Sequence, residues 1–325
     1  MSASSDLLLE SPEIAEAPIG GETIAARSPL QLFWRRFRKD RVAMVALAFI
    51  VLLLLIAVFH KPLVHALGLP EPNDQDSNRL DDFGQPSGPS SRDPFGVDPR
   101  GRDIASRVIY GAWVSIRVAF IATAIAIFVG VVVGLLAGYY RGWTDTALSR
   151  VMDVMLAFPV LVLALGLGAA CTLGNGCLGG LIKPGLTVVI VVIALTTWPY
   201  MARIVRGQVL SLREKEFIDA SRSLGARDGR ILFKEILPNL VAPIIVYGTV
   251  LIPQNILYEA ALSFLGVGIQ PPDASWGQMI SDASDIFDTA WWYMTFPGLA
   301  LLLTVLAFNL VGDGLQDALN PRTAK

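Results

Sequence analysis

Charge is scarce in this sequence: Asp, Glu, Lys and Arg make up 17% of its 325 residues, against 53% hydrophobic residues. That balance, with a mean hydropathy of +0.54, is too apolar for a soluble domain of this length. Histidine and cysteine are scarcer still. With only His60, His65, Cys171 and Cys177 available, a His/Cys metal cluster is nearly excluded. No GxxxxGK[ST] phosphate loop occurs, so nucleotide chemistry, if any drives this protein, belongs to another chain. HExxH and GxSxG are also missing and neither histidine is central to an apolar run, which leaves no hydrolase centre. A net charge of −2, without a basic tract interleaved with aromatics, gives no reason to expect nucleic acid.

The apolar residues come in blocks, at 42–59, 118–140, 154–170, 186–202, 240–258 and 291–312. The first is eighteen residues without a charge, enough to span about 27 Å at 1.5 Å per residue. These blocks predict an all-α, polytopic membrane protein with six transmembrane helices. A long polar leader and no small-residue cleavage site make 42–59 an uncleaved first helix. Glycines 130, 134 and 138 form two overlapping GxxxG steps in the second span, a pattern that lets another helix approach closely. Tryptophans 113, 143, 198, 291 and 292, and more loosely 34, fall near span ends as an aromatic belt would place them. Trp276 stands apart, in the middle of a loop.

Counting Lys and Arg sets the orientation. With the N-terminus inside, 18 of 26 lie on the inner side, the bias expected of cytoplasmic segments. The expected organisation is then a cytoplasmic tail 1–41, a first helix 42–59, an extracytoplasmic loop 60–112, a five-helix core 113–313, and a cytoplasmic tail 314–325. Cys171 and Cys177 fall on the outer side, where an oxidising compartment permits a disulfide; bonded and free thiols both stay open.

One polar stretch interrupts the apolar pattern inside the core, EFIDASRSLGARDGRILFKEILPN at 216–239. Eight Lys/Arg lie between Arg203 and Glu235. Phe217, Ile218, Leu224, Ile231, Leu232, Phe233, Ile236 and Leu237 give it a greasy side at helical spacing. Gly225 suits the left-handed residue that closes a helix, where a Cβ costs about 1–2 kcal/mol. Physics reads a helix–turn–helix on a cytoplasmic surface, which could equally be an amphipathic hairpin lying on the membrane.

The frame within it is Asp219-Ala220-Ser221, then Gly225, then Glu235-Ile236-Leu237-Pro238. It resembles the EAA loop of ABC importer permeases, with Asp-Ala-Ser in place of Glu-Ala-Ala and Glu235 where Ile or His is usual. Three more segments, DPFGVDPRGRDIASRVIYGAWVSI from Asp93, LYEAALSFLGVGIQPPDASWGQMISDA at 257–283 and FPGLALLLTVLAFNLVGDGLQDALNPR at 296–322, resemble the C-type permease subunits of dipeptide, oligopeptide and nickel importers. The resemblance runs in order over roughly 93–322. It implies the type I ABC importer permease fold, in the plasma (inner) membrane. It also implies a second, B-type permease subunit, two cytoplasmic ATPases and an extracytoplasmic solute-binding protein as partners, besides membrane lipid. The coupling segment, 212–238, then includes Glu216, Asp219, Ala220, Ser221, Gly225, Glu235, Leu237 and Pro238. No cofactor is expected in this chain, ATP and Mg being bound by the ATPases, and the chain is read as non-catalytic.

Glu259, at the outer end of the fifth span, is the most embedded acid. A carboxylate there is costly and is by default a functional candidate, either on a translocation path or as a structural hydrogen-bonding group. Peptides are the expected substrates, with nickel or another small solute as the alternative. A secondary transporter or channel is the competing class; such proteins bury paired ionisable groups at mid-membrane, and these spans are nearly charge-free.

Overall fold

The computed structural model describes residues 29–173, 176–177, 180, 182 and 184–319; most of the expected N-terminal tail and the end of the C-terminal tail lie outside them. Among the described residues the regular structure is helical. The helices are α1 (Pro29–Phe37), α2 (Arg41–Val58), α3 (His60–Ala66), α4 (Ile104–Tyr140), α5 (Gly142–Ala157), α6 (Val160–Leu173), α7 (Leu186–Leu212), α8 (Glu216–Ser223), α9 (Asp228–Arg230), α10 (Leu237–Phe264), α11 (Trp276–Ala283) and α12 (Trp291–Leu319). Five helical stretches are long and apolar enough to cross a membrane, and the bent pair α5–α6 makes up to a sixth crossing.

The α2 helix starts where Asp40 accepts hydrogen bonds from the backbone of Val42 and Ala43 at 2.9 and 3.1 Å, a side-chain cap on otherwise orphan N–H groups. Its buried residues, Ala43, Ala46, Ile50, Leu53 and Ala57, recur at three and four and so form one stripe. Its Ala43, Ala46 and Ile50 join Ala307, Phe308 and Val311 of α12 in a common cluster, while Leu53 and Ala57 pack with Ala112, Ile116 and Trp276.

At the centre, α4 packs along α7. A Cβ added at Gly130 would sit 2.6 Å from Met201 Cβ, at Gly134 2.6 Å from the Ala202 carbonyl, and at Gly138 2.7 Å from Val209 Cβ. The glycine steps therefore set the distance between these two helices.

Several boundaries differ from those expected. The third crossing is not one helix over 154–170: α5 ends at Ala157, α6 begins at Val160, and the two are bent by 88°. Pro159 disfavours helical backbone at the preceding residue, and Phe158 is extended at φ −85°, ψ 138°. The long polar loop, expected to run to 112, ends at Asp103, because Asp103 caps α4 by accepting from the Ser106 N–H at 2.7 Å. The polar turns that follow stay helical under cover of the loop. Arg107, buried in the first turns, donates to the Pro72 carbonyl and Asn73 Oδ1 at 3.2 Å each. At the other end α12 runs on to Leu319, past the boundary drawn at 313.

The loops around α11 and the stretch before α4 form a cap on one end of the bundle. Asp98 holds the buried Arg102 at 2.6 Å, Phe95 stacks on Phe296 at 4.0 Å, and Trp292 donates to the Val97 carbonyl at 3.2 Å. Trp276, which fitted no aromatic belt, is buried here and donates from Nε1 to the Val108 carbonyl at 3.0 Å. Cys171 and Cys177 are joined, with Cα atoms 4.6 Å apart.

Candidate functional site

The polar stretch after α7 folds into an elbow. Glu216 and Asp219 occupy the first turn of α8, where acids complement the positive end of the helix dipole, and Asp219 pairs with Arg222 at 3.5 Å. The helix closes at Gly225, whose φ is +77°. The Ala226 N–H reaches back to the Ser221 carbonyl at 3.1 Å and the Gly225 N–H to that of Arg222 at 2.9 Å. These two bonds make a Schellman closure, which needs a left-handed residue at that position. Ala220 and Gly225 are exposed.

Beyond the turn, α9 continues through a π-helical stretch, Ile231–Ile236, into α10 without a break. Pro238 explains the wider winding: it lacks the N–H that an α-helix would direct at the carbonyl four residues back. Pro238 thus leaves the Lys234 carbonyl without its α-helical donor, and next to it the Glu235 carbonyl accepts from Asn239 Nδ2 at 2.6 Å. Ile218, Ile231, Leu232 and Ile236 are buried against Tyr139, Val205 and Val209, with Leu237 partly buried at the edge. On the other side Leu224 is 87% exposed, Phe233 67% and Phe217 40%. The greasy side expected from spacing thus divides into an inward and an outward set.

What fixes the elbow to the bundle was not visible in the motif. Tyr139, at the end of α4, donates its hydroxyl to Asp228 Oδ1 at 2.7 Å. The guanidiniums of Arg213 and Arg222 lie 5.9 and 5.8 Å from its ring, a cation–π arrangement. Arg213 also donates to the Tyr139 carbonyl, and Arg141 pairs with Glu214. Desolvation, with Arg141 and Arg222 nearby, pulls the Arg213 guanidinium below its ordinary pKa. Nearby, Arg206 grips Asp145 with two nitrogens at 2.5 and 2.8 Å, tying α7 to α5. The signal for this platform was the tyrosine pair ending an apolar run, but its partners lie about 75 to 90 residues away in sequence.

Glu259 is fully enclosed by this chain. Ser115 of α4 donates to one carboxylate oxygen at 2.8 Å and Ser263 to the other at 2.8 Å. The Ser263 hydroxyl in turn accepts from the Ile269 N–H at 3.1 Å. The carboxylate therefore ties α4, α10 and the turn after α10 together, and no part of it reaches the outer surface of the chain.

Up to six crossings, with a compact helical elbow at one end and a folded cap formed by 93–103 and α11, make a helical membrane protein. Comparison with known proteins gives its class. A profile described as "binding-protein-dependent transport system inner membrane component" matches residues 130–325. Another, described as the N-terminal TM domain of oligopeptide transport permease C, matches residues 28–86. A dipeptide transport system permease protein, DppC, from Alkalihalophilus pseudofirmus is 41% identical over 97% of this chain and 96% of its own length. A glutathione transport system permease protein, GsiD, from Escherichia coli is 43% identical over 91% of each chain. Among solved structures, an inward-facing MetNI methionine ABC transporter matches in fold, with a TM-score of 0.55 at 21% identity, over 66% of this chain and 96% of that one. The chain belongs to the family of binding-protein-dependent transport system inner membrane components. It is a multi-pass inner-membrane permease subunit of an ABC importer.

Proposed function

We propose that this subunit pairs with a second, B-type permease subunit to form a translocation path for peptides. An extracytoplasmic solute-binding protein delivers them, and the elbow 212–238 couples the path to one of two cytoplasmic ATPases. The chain carries no catalytic step; ATP and Mg are handled by the ATPases. Both termini and the elbow face the cytoplasm, the side to which the excess of Lys and Arg points. The peptide substrate is inferred from the relatives described as dipeptide and glutathione permeases.

One observation carries the coupling role. An elbow that has already buried Ile218, Ile231 and Ile236 still presents Leu224 and Phe233 outward, next to the charges of α8 and α9. A short helix with protruding apolar anchors is a common way to fill a groove on a partner. Membrane contact would use the same side chains, so the test must separate the two. Leu224→Asp with Phe233→Asp in the assembled complex is expected to abolish co-purification of the ATPases, while the subunit still reaches the membrane and retains its permease partner. Normal ATPase occupancy in that variant would overturn the coupling role. Uptake of alanyl-alanine, glutathione and nickel by the complete complex then decides the substrate class, with nickel uptake alone counting against peptides.

A further inference from the structure

Polar side chains at membrane depth need partners, because the hydrocarbon supplies none. Many on these crossings find one within the chain. Thr196 and Thr197 donate to the Val192 and Ile193 carbonyls at 3.0 and 2.7 Å. Thr249 donates to Val246 at 2.7 Å, Thr304 to Ala300 at 2.6 Å and Asn309 to Val305 at 3.0 Å. Asn255 reaches Thr123 at 2.8 Å.

Four groups on α7 and α10 depart from this pattern. Tyr200, Tyr247, Gln254 and Tyr258 make no hydrogen bond among the described residues. They line one pocket of about 220 Å³ together with Met201 and Leu251. Tyr200 is 44% exposed and Tyr247 39%, and Gln254 is exposed as well. Tyr200, Tyr247 and Gln254 lie well inside their helices, whereas Tyr258 is six residues from the end of α10. Tyr247 lies ten residues from the start of α10 and Gln254 ten from its end, about 15 Å in from either side at 1.5 Å per residue. Tyr200 lies near the middle of α7. On α10 the spacing of seven and then four puts Tyr247, Gln254 and Tyr258 on one stripe.

We infer that this stripe is the wet wall that the subunit contributes to the translocation path, and that its phenols and amide hydrogen-bond the peptide backbone in transit. The inference deepens the peptide reading above and rests on it. A lipid-facing position would leave the polar ends of Tyr200, Tyr247 and Gln254 unserved; a water-filled path serves them. The chemistry suits a substrate whose shared feature is its amide groups. Phenol and carboxamide offer donors and acceptors without a fixed charge, so neither terminus of a zwitterionic peptide is trapped. Conduction through a path requires contacts weak enough to release. Glu259 follows Tyr258 directly, yet its carboxylate turns inward to Ser115 and Ser263, which keeps a fixed charge off the wall. Tyrosine rings add flat apolar area for variable side chains.

The test uses the complete complex in proteoliposomes, with thiols at Gln254→Cys and Tyr247→Cys. Leu302→Cys, on an α12 position that is 60% exposed, serves as the lipid-facing control, and the unmodified chain gives the background. A small charged methanethiosulfonate reacts with wetted thiols only. Modification at 254 and 247 at least tenfold faster than at 302, slowed by alanyl-alanine or glutathione, is the expected result. Rates no faster than at 302 would overturn the wall, as they would if the second permease subunit covers this face. A disulfide-range cross-linker joining 254 to that subunit would identify such cover. Fast modification that neither peptide slows, in a complex that transports neither, keeps the wet wall and refutes the peptide contacts instead. As a second readout, Tyr247→Phe with Gln254→Leu is expected to raise the KM for alanyl-alanine at least tenfold with ATPase occupancy unchanged. An unaltered KM would also refute the hydrogen-bonding role.

Discussion

Replacing Gly225 by valine isolates the elbow's turn from everything else the segment does. The residue sits at φ +77°, and a Cβ there meets nothing within 4 Å. No steric collision inside the chain contributes, so the cost is that of left-handed backbone alone, about 1–2 kcal/mol and more for a β-branched side chain. At 1.4 kcal/mol per factor of ten, opening of the turn should become about 5 to 30 times more frequent. The bonds that report it are Ala226 N–H to Ser221 and Gly225 N–H to Arg222. Hydrogen exchange at the Ala226 amide should accelerate by that factor, while amides inside α7 and α10 hold their rates. Insertion depends on the apolar crossings, so abundance in the membrane should be normal. Docking is a separate matter: the added methyls stand on the outward side of the elbow, beside Leu224. ATPase co-purification and substrate-stimulated hydrolysis should therefore fall, with Gly225→Ala milder. Full transport by the valine variant at normal ATPase occupancy would refute the reasoning.

Other consequences can be checked directly. Glu259→Leu leaves the hydroxyls of Ser115 and Ser263 without their acceptor, a loss of about 1–3 kcal/mol; the complex should unfold at lower temperature in detergent, and Glu259→Gln should lose less. An unchanged midpoint for the leucine variant would contradict the clamp. Gly134→Leu forces side-chain atoms where even a Cβ lies 2.6 Å from the Ala202 carbonyl, and overpacking of about 1–3 kcal/mol or more should cut folded protein in the membrane; wild-type amounts would show that α4 and α7 can separate. A cysteine at the exposed Ser91 should react with a membrane-impermeant maleimide in intact cells, whereas one at Ser211 should not; the reverse pattern would invert the orientation.

The crossings were legible in the sequence because long uncharged runs have few other uses, and the elbow because Gly225 and Pro238 each impose a local backbone requirement. Helix ends were not. Residues 104–117 are helical although polar turns and Arg107 interrupt the apolar run, since the loop above supplies that arginine with carbonyl partners. Pro159 was a visible signal for a break in the third crossing, and an apolar window averages over it. The Tyr139 platform and the inward turn of Glu259 arise from contacts between distant segments, which no local pattern encodes. Trp276 is the same case: its burial depends on where α11 lands on α4.

The join between the elbow and the fifth crossing has a mechanical meaning. From Asp228 to Phe264 the chain is helical for 37 residues, about 55 Å at 1.5 Å per residue. Pro243 and Pro253 lie within it without ending the helix, so no loop is there to absorb a push. One end carries Ile231 and Leu232 in the elbow; the other carries Glu259, hooked to Ser115 beneath the cap. If the elbow docks an ATPase as proposed above, force applied there would arrive at the far end of the helix as tilt or rotation of a continuous rod rather than being lost in a loop. The π-helical stretch is where that rod can change its winding by a residue's worth of turn, so a small twist at Ile231–Ile236 would swing Tyr247 and Gln254 together, as spokes on one shaft.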